Sequence, residues 1–492
     1  MSESVPSSPF FEQAERLRTD VFEFPSWREG QAEILAALGQ GENVLGVLPT
    51  GRGKSLCYQI PAMMGGSGIV LVVSPLIALM KDQVDAARAN GVRAAAIHSG
   101  LSRDEKEQIL RDVAKRSVTL LYATPERFRS EPFLEAIRAA GGVRLLAVDE
   151  AHCISTWGHD FRLDYSRLGD RRRELGSPQT VALTATATVE TRADIVRQLG
   201  LTHEILADPW RGNLGIEVLE TMGLDEKIRA FVMLRHQRPG PAIVYFSLVQ
   251  TLRKFSEEIE RFGMKHVVYH GQLQDRVRKR NQEAFIGGTE ELMLATPAFG
   301  LGVDKPDVRL LVHAEIPGAL EGYYQEIGRA GRDGERSECA LLYDRDDVSI
   351  QTDFLKWGTP DPGFIQSVHN LIARNEMRAR QEGFEYLRAQ MNFYNRRDFR
   401  VETAVQLLER WGALEGREPR EWRAVGEIPA EYLDQKAFQE NLKRREQKLQ
   451  QIVSMAESDA GCRLQQVSSV FGKMESGRRC GICDLCVKEG GR

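Results

Sequence analysis

Residues 149 to 162 read Asp-Glu-Ala-His-Cys-Ile-Ser-Thr-Trp-Gly-His-Asp-Phe-Arg and set two kinds of chemistry side by side. Asp149 and Glu150 close the apolar run Leu145-Leu146-Ala147-Val148. A buried parallel strand presents acids to a metal-bound phosphate in this way. Trp157, Phe161 and Arg162 follow within the same stretch. Stacking planes beside a cation are what a single nucleic-acid strand needs. An ATPase centre joined without a spacer to a nucleic-acid sensor points to a motor.

Such a centre needs a phosphate cradle. Val44-Leu45-Gly46-Val47-Leu48 runs into Pro49-Thr50-Gly51-Arg52-Gly53-Lys54-Ser55 and then a helical pattern. Backbone N–H groups at the helix start can hold phosphates, Lys54 can meet the terminal phosphates, and the Ser55 hydroxyl can bind Mg²⁺. The strict pattern wants glycine where Leu48 stands. Gly-Lys-Ser alone is more often a solvated turn, and Asp-Glu alone a charged strand end. Together they point to a nucleotide, with Asp149 holding Mg²⁺ through water and Glu150 polarising the attacking water.

Tyr324-Gln325-Glu326-Ile327-Gly328-Arg329-Ala330-Gly331-Arg332-Asp333-Gly334 adds cations. Arg329 and Arg332 are expected on one face of a helical turn, with small residues between them allowing close approach. An arginine finger neutralises charge developing on the γ-phosphoryl group; the ordinary alternative is a surface pair making salt bridges. ATP is then expected between two lobes, its binding and hydrolysis closing and opening the cleft.

These residues require strands and helices that can position them. From about residue 30 to 350, apolar runs such as Ile69 to Val73, Val118 to Tyr122 and Val143 to Val148 alternate with helical patterns. Runs apolar on both faces suit parallel strands covered by helices, which is α/β architecture. The series restarts after residue 210 with Ala242 to Phe246, Glu291 to Ala295 and Val308 to Val312. Asp208-Pro209-Trp210-Arg211-Gly212 lacks periodicity and reads as a linker. The expected units are 1–208, 209–350, a helical or winged-helix-like segment 351–432, and 433–492, a long helix followed by a cysteine cluster.

Composition bounds the reading less sharply. The 492 residues are 42% hydrophobic and 28% charged, as in globular proteins. The net charge of -4 neither supports nor excludes a nucleic acid, which would need only a local basic groove. Met1-Ser2-Glu3-Ser4 lacks the layout of a secretory leader, and no apolar run reaches the roughly 18 residues of a membrane span. A cytoplasmic protein of the bacterial nucleoid, with no membrane partner, is expected.

The ordered motif set resembles the superfamily-2 helicases and, within them, the RecQ DNA helicases. Trp27-Arg28-Glu29-Gly30-Gln31, preceded by Phe22-Glu23-Phe24, resembles that family's adenine motif. The resemblance implies that Gln31 bonds adenine, Phe24 stacks on it and Arg28 assists; Glu23 replaces the usual glycine. Ser74-Pro75-Leu76-Ile77-Ala78-Leu79-Met80-Lys81-Asp82-Gln83 looks like a strand-contacting motif, and Leu183-Thr184-Ala185-Thr186-Ala187 like the motif coupling hydrolysis to movement. Ala298 to Pro306 and the arginine motif match second-lobe signatures, whereas within Ile243 to Val249 the residues Phe246-Ser247-Leu248 replace the polar residues common at that point. The Trp157 to Arg162 segment is the most RecQ-specific. The resemblance implies two tandem RecA-like parallel-sheet lobes, a mainly helical C-terminal region with a zinc-binding module, and 3′ to 5′ unwinding of DNA.

The candidate catalytic set is Lys54, Asp149, Glu150, His152, Gln325, Arg329 and Arg332. The nucleotide-binding set is Phe24, Arg28, Gln31, Pro49, Thr50, Gly51, Arg52, Gly53, Lys54 and Ser55, with ATP as substrate and Mg²⁺ on Ser55 and Asp149. DNA contact or coupling is assigned to Ser74, Pro75, Trp157, Phe161, Arg162, Thr184 and Thr186. A second aromatic and basic patch, Arg388 to Arg400 with Phe393, Tyr394, Arg396, Arg397 and Phe399, could touch nucleic acid or pack a small core.

Cys57, Cys153 and Cys339 are isolated, whereas Cys462, Cys480, Cys483 and Cys486 cluster. Four thiolates suffice for tetrahedral Zn²⁺, with Cys462 expected from a helix; an iron–sulfur cluster is chemically possible. Cys462-Arg463-Leu464 and Cys480 to Cys486 resemble the RecQ zinc module, in which zinc supports the fold. In better-known members that module follows the second lobe directly and a winged helix comes after it. Here a long segment intervenes, which could be a winged helix placed earlier, and no further accessory domain is expected. The leading expectation is an ATP-dependent DNA helicase acting on single-stranded and tailed duplex DNA in repair and recombination. The alternatives are an RNA-remodelling ATPase and a nucleotide-switched DNA-structure binder.

Overall fold

A computed structural model describes residues 8–75, 77–155, 163–300, 305–391, 398–416, 418–472 and 477–490. Trp157, Phe161 and Arg162 lie outside the described residues, as do Leu76, Leu301 to Asp304, and Phe393, Tyr394, Arg396 and Arg397.

Two parallel sheets organise the first two-thirds of the chain. The first holds β1 (Val44–Val47), β2 (Ile69–Val73), β3 (Ala94–Ile97), β4 (Leu120–Ala123), β5 (Val143–Val148), β6 (Gln179–Thr184) and β7 (His203–Leu206). They lie in the order β3-β4-β2-β5-β6-β1-β7. The second holds β8 (Leu214–Glu220), β9 (Ala242–Tyr245), β10 (Val267–Tyr269), β11 (Leu292–Ala295), β12 (Leu310–His313) and β13 (Ser337–Tyr343), ordered β10-β11-β9-β12-β13-β8. These are two RecA-like lobes. The order places β6, which ends in Thr184, between the strand leading to the phosphate loop and the strand leading to Asp149.

Burial explains why the strands read as continuous apolar runs. Leu45, Leu71, Leu121, Leu146 and Ala182 enter one core, and their neighbours Val44, Val70, Leu120, Leu145 and Val181 enter the core on the opposite face. A period of two delivers alternate residues to opposite faces, so a strand covered on both sides must be apolar throughout. In the second lobe Ala242, Val244, Leu292 and Leu294 face one cluster, and Ile243, Tyr245, Met293 and Ala295 face another. This second cluster also contains Leu449, Ile452, Leu464, Val467 and Phe471, so the C-terminal cysteine module covers one face of the second sheet.

Between the second lobe and that module stand helices Pro362–Arg374, Glu376–Gln390 and Arg400–Arg410 and an antiparallel pair, Leu414–Glu415 with Arg423–Ala424. This segment has its own core around Ile365, Val368, Leu387, Leu408 and the fully buried Trp422. Of the second aromatic and basic patch, Arg388 pairs with Glu402, and Phe399 is exposed and lies nearly perpendicular to the Trp357 ring. The long helix Gln435–Glu457 then returns the chain to the second lobe. Cys57, Cys153 and Cys339 are buried; burial pushes the Cys57 thiol up to about 12, as expected of packing residues.

Glu23 follows the helix Pro9–Asp20 with φ +55°. This is the position where the resemblance expects glycine, and the turn keeps the left-handed conformation without it. A non-glycine residue there costs roughly 1 kcal/mol. Glu23→Gly is therefore expected to leave the thermal unfolding midpoint unchanged or slightly raised, and Glu23→Ile to lower it. A clear loss with glycine would mean that the carboxylate, not the backbone, sets this turn.

Candidate nucleotide and zinc sites

The phosphate loop leaves β1 and enters the helix Leu56–Met63. Gly51 and Gly53 have φ of +79° and +71°, and a Cβ on Gly53 would meet Gln31 Nε2 at 2.8 Å. Leu48, in the place of the usual first glycine, is fully buried and donates its N–H to Thr184 O at 2.9 Å. It packs so tightly on Gly30 that a Cβ there would lie 2.3 Å from Leu48 Cδ2.

The adenine-motif residues are wired to this loop. Gln31 Nε2 donates to Arg52 O at 3.0 Å and Gly53 O at 2.9 Å, while its Oε1 accepts from Arg28 N at 2.9 Å. The Arg28 guanidinium donates to Gly51 O. An adenine contact by Gln31 therefore exchanges one bond that now shapes the loop. Phe24 is 45% exposed and lies roughly parallel to Phe22.

Asp149 and Glu150 stand at the end of β5. Glu150 takes φ +47° and ψ +47°, an uncommon conformation for a side-chain-bearing residue, and donates its N–H to Asp149 Oδ1 at 3.0 Å. Burial and the neighbouring Glu150 push the Asp149 carboxyl up to about 7, while Lys54 and that N–H pull it down. Tyr165, fully buried, donates from one hydroxyl to Asp149 O at 3.1 Å and Val73 O at 3.2 Å.

His152 is buried beneath Glu150, with Nδ1 2.9 Å from Thr184 Oγ1 and 3.4 Å from Glu150 Oε2. The Thr184 hydroxyl donates to Thr186 O at 3.1 Å, so the Nδ1–H of His152 is the donor to Thr184. Ser74, Thr184 and Thr186 are all buried. Pro75 lies at the end of β2, beside Ser74.

Lys54, Ser55, Asp149 and Glu150 line one open cavity together with Gln325, Arg329 and Arg332 of the second lobe. Its volume of about 380 Å³ lies within the roughly 300–1,000 Å³ of small-molecule sites. Tyr58, Gln83, Gly300 and Pro306 also line it; Gln83 and Pro306 lay inside recognised motifs, and Tyr58 one turn along the helix after Ser55.

The arginines are not helical. The helix Leu320–Ile327 ends before them, and Arg329 to Arg332 form a turn in which Gly331 has φ +54°. The small residues do permit close approach: a Cβ on Gly328 would lie 2.6 Å from Thr50 Oγ1, which donates to Gly328 O at 3.0 Å. The first lobe thus touches the arginine turn directly.

The cysteine cluster fits a structural metal. All four Sγ atoms lie within 4.8 Å of one another. Zn–S bonds of about 2.3 Å give tetrahedral edges of about 3.8 Å. Cys480 N donates to Cys462 Sγ at 3.3 Å, Cys483 N to Cys480 Sγ at 3.3 Å and Cys486 N to Cys483 Sγ at 3.4 Å, bonds that stabilise thiolates. Cys462 caps the helix Arg463–Ser468 from an extended conformation and is not within it, because its sulfur must turn toward the 480–486 loop.

Comparison with known proteins adds lineage to this geometry. Residues 28–195 match the DEAD/DEAH box helicase model, 225–334 the helicase conserved C-terminal domain, and 429–487 the RecQ zinc-binding model. The chain is 33% identical over 483 residues to the ATP-dependent DNA helicase RecQ of Synechocystis, covering 95% of this chain and 96% of that one. It is 39% identical to RecS of Bacillus subtilis, across 73% of this chain and 72% of that one. With the RecQ of Bacillus subtilis it shares 41% identity over 69% of its length and spans 57% of that relative. Among solved structures, Mycobacterium smegmatis helicase Lhr bound to ssDNA and AMP-PNP superposes with a TM-score of 0.56 at 19% identity, over 80% of this chain and 57% of that one. The corresponding values for S. cerevisiae Dbp5 bound to RNA and ADP BeF3 are 0.55, 15%, 72% and 92%; both likenesses concern the fold. A two-lobed nucleotide cavity, a four-cysteine module and a RecQ relative matched along nearly its whole length lead to one conclusion: the chain belongs to the RecQ family of superfamily-2 helicases.

Proposed function

We propose that this chain is an ATP-dependent DNA helicase that unwinds tailed duplex DNA in the 3′ to 5′ direction, in repair and recombination. The observation that carries the reading is the shared cavity, in which a phosphate loop and two acids from one lobe meet two arginines from the other. A binding protein that used nucleotide only as a switch would need no such hydrolytic set. DNA is favoured over RNA by the relatives named as DNA helicases and by the zinc module.

In this reading the phosphate-loop N–H groups and Lys54 bind the β- and γ-phosphates of ATP. Pro49, Thr50 and Arg52 shape the loop, and Arg28, Gln31 and Phe24 take the base. Ser55 and Asp149, which line the same cavity, would hold Mg²⁺, and the bound cation neutralises phosphate charge. Glu150 orients and deprotonates the attacking water, and His152 lies beside it, bonded to Thr184. Arg329 and Arg332, with Gln325 beside them, meet the charge that develops on the γ-phosphoryl group. Trp157, Phe161 and Arg162 take the single strand, and the short backbone from Asp149 carries its presence to the acids. Cys462, Cys480, Cys483 and Cys486 hold a structural Zn²⁺.

The test is ATPase activity with single-stranded DNA, duplex DNA and RNA in parallel, followed by unwinding of 3′- and 5′-tailed duplexes. Stimulation by DNA and preference for the 3′ tail are expected; equal or greater stimulation by RNA would favour an RNA-remodelling ATPase. Lys54→Ala should abolish hydrolysis, and Glu150→Gln should slow turnover by about 10²–10⁴-fold while ATP still binds. Trp157→Ala is expected to keep nucleotide binding and basal hydrolysis but lose stimulation by DNA, so persistent stimulation would remove the sensor role. Cys483→Ser should lower the zinc-to-protein ratio and the unfolding temperature, and an unchanged metal assay would exclude Cys483 as a ligand.

A further inference from the structure

The linker between the lobes is bonded to the turn that carries the arginines. Arg211, half-buried between β7 and β8, donates from Nη1 to Gly328 O at 3.2 Å and from Nη2 to Ala330 O and Gly331 O, both at 2.9 Å. One guanidinium thus fixes the peptide plane just before Arg329, the plane between Ala330 and Gly331, and the plane just before Arg332. Asn213 adds Nδ2 bonds to Gly331 O at 2.8 Å and Glu335 O at 2.9 Å, and Arg211 Nε points to Asn213 Oδ1 at 3.5 Å. A Cβ on Gly331 would fall 2.5 Å from Asn213 Nδ2, so the turn is glycine where the linker presses on it.

The linker is itself anchored. Tyr324 Oη donates to Pro209 O at 2.6 Å, and Arg478, beside the cysteine cluster, pairs with Asp208 at 2.6 Å and stacks over Trp210 at 4.2 Å. The Gly328 carbonyl that accepts from Arg211 also accepts from Thr50 of the phosphate loop. The planar fork of an arginine suits three carbonyls in a way that a lysine ammonium does not.

We propose that Arg211 is the positioning residue for the arginine pair: its fork holds the Gly328–Gly331 turn so that Arg329 and Arg332 enter the nucleotide cavity in register with the phosphate loop. Linker and arginines then move as one body when the lobes close. Arg211 touches no nucleotide in this role; it acts through the turn, and the proposal rests on the arginine-finger reading of Arg329.

The test compares Arg211→Lys, Arg211→Ala, Arg329→Ala and the double Arg211→Ala/Arg329→Ala, each in the full chain with its zinc. The readouts are DNA-saturated kcat, KM for ATP, affinity for a fluorescent ATP analogue, and the unfolding midpoint. Arg211→Ala and Arg211→Lys should both lower kcat by 10-fold or more, with KM and analogue affinity within about threefold. The double variant should lose less than the product of the two single losses, because Arg329 is one of the two arginines through which Arg211 acts. The lysine variant carries the test if the alanine variant fails to fold. Additive losses, or wild-type kcat in the folded lysine variant, would overturn the proposal. Wild-type kcat in Arg329→Ala would instead overturn the finger reading, and the proposal with it.

Discussion

The carbonyl of Gly328 accepts a hydrogen bond from each side of the interlobe cleft. Thr50 reaches it from the phosphate loop and Arg211 from the linker. A carbonyl oxygen has two lone pairs, and both are used here. In the proposed mechanism the geometry of hydrolysis depends on this junction, because neither lobe alone lines the cavity with the full set of charges. Lys54, Asp149 and Glu150 bring the phosphate and water side, and Arg329 and Arg332 bring compensating charge only if the turn is in place. The glycines of the turn follow from the same demand, since Thr50 and Asn213 occupy the space that side chains would take.

On the first-lobe side, sheet order does comparable work. With β6 between the strands that lead to Lys54 and to Asp149, the end of β6 is the natural place to sense both. Leu48 N bonds Thr184 O, and His152 bonds Thr184 Oγ1. Thr184 therefore joins the phosphate loop to the histidine under Glu150 without touching solvent. Tyr165 supplies the matching constraint on β5 and β2, and it sits just past the aromatic segment. The left-handed backbone of Glu150 fits such a setting, because an uncommon conformation persists only where its surroundings over-determine it.

The sequence disclosed what depended on residue type and concealed what depended on direction. Strands β2, β9 and the Leu145–Val148 part of β5 were legible because both faces are covered, so every position there is apolar. β3 is Ala-Ala-Ala-Ile and carries almost no strand preference, and β7 and β10 are partly exposed edges with diluted patterns. The phosphate loop, the acids and the cysteines were legible because few other roles explain those residues at those spacings. Arg211 was not: an arginine in a linker reads by default as a solvated charge, and only the fold brings three carbonyls to it. The helical expectation for Arg329 and Arg332 failed because spacing alone does not reveal that the helix stops at Ile327 and that the chain beyond it forms a turn, left-handed at Gly331.

The same distinction resolves the unusual place of the zinc module in the chain. Counted along the sequence, it is separated from the second lobe by a long segment. In space it is not separated at all. Helix Val348–Gly358, which follows β13, packs on helix Gln435–Glu457, which leads to the cysteines. The segment between them closes its own core around Trp422 and shares no cluster with the second lobe. An insertion that buries its own apolar surface and leaves and returns at neighbouring points costs little beyond loop closure, which grows slowly with length. Leu464, Val467 and Phe471 can then cover the second sheet, with Phe471 against Tyr324 at 4.6 Å, wherever the chain has travelled in between. Tyr324 precedes the arginine turn and also bonds the linker, so the module's packing reaches the junction at Gly328 through Tyr324 as well as through the Arg478 contacts with Asp208 and Trp210.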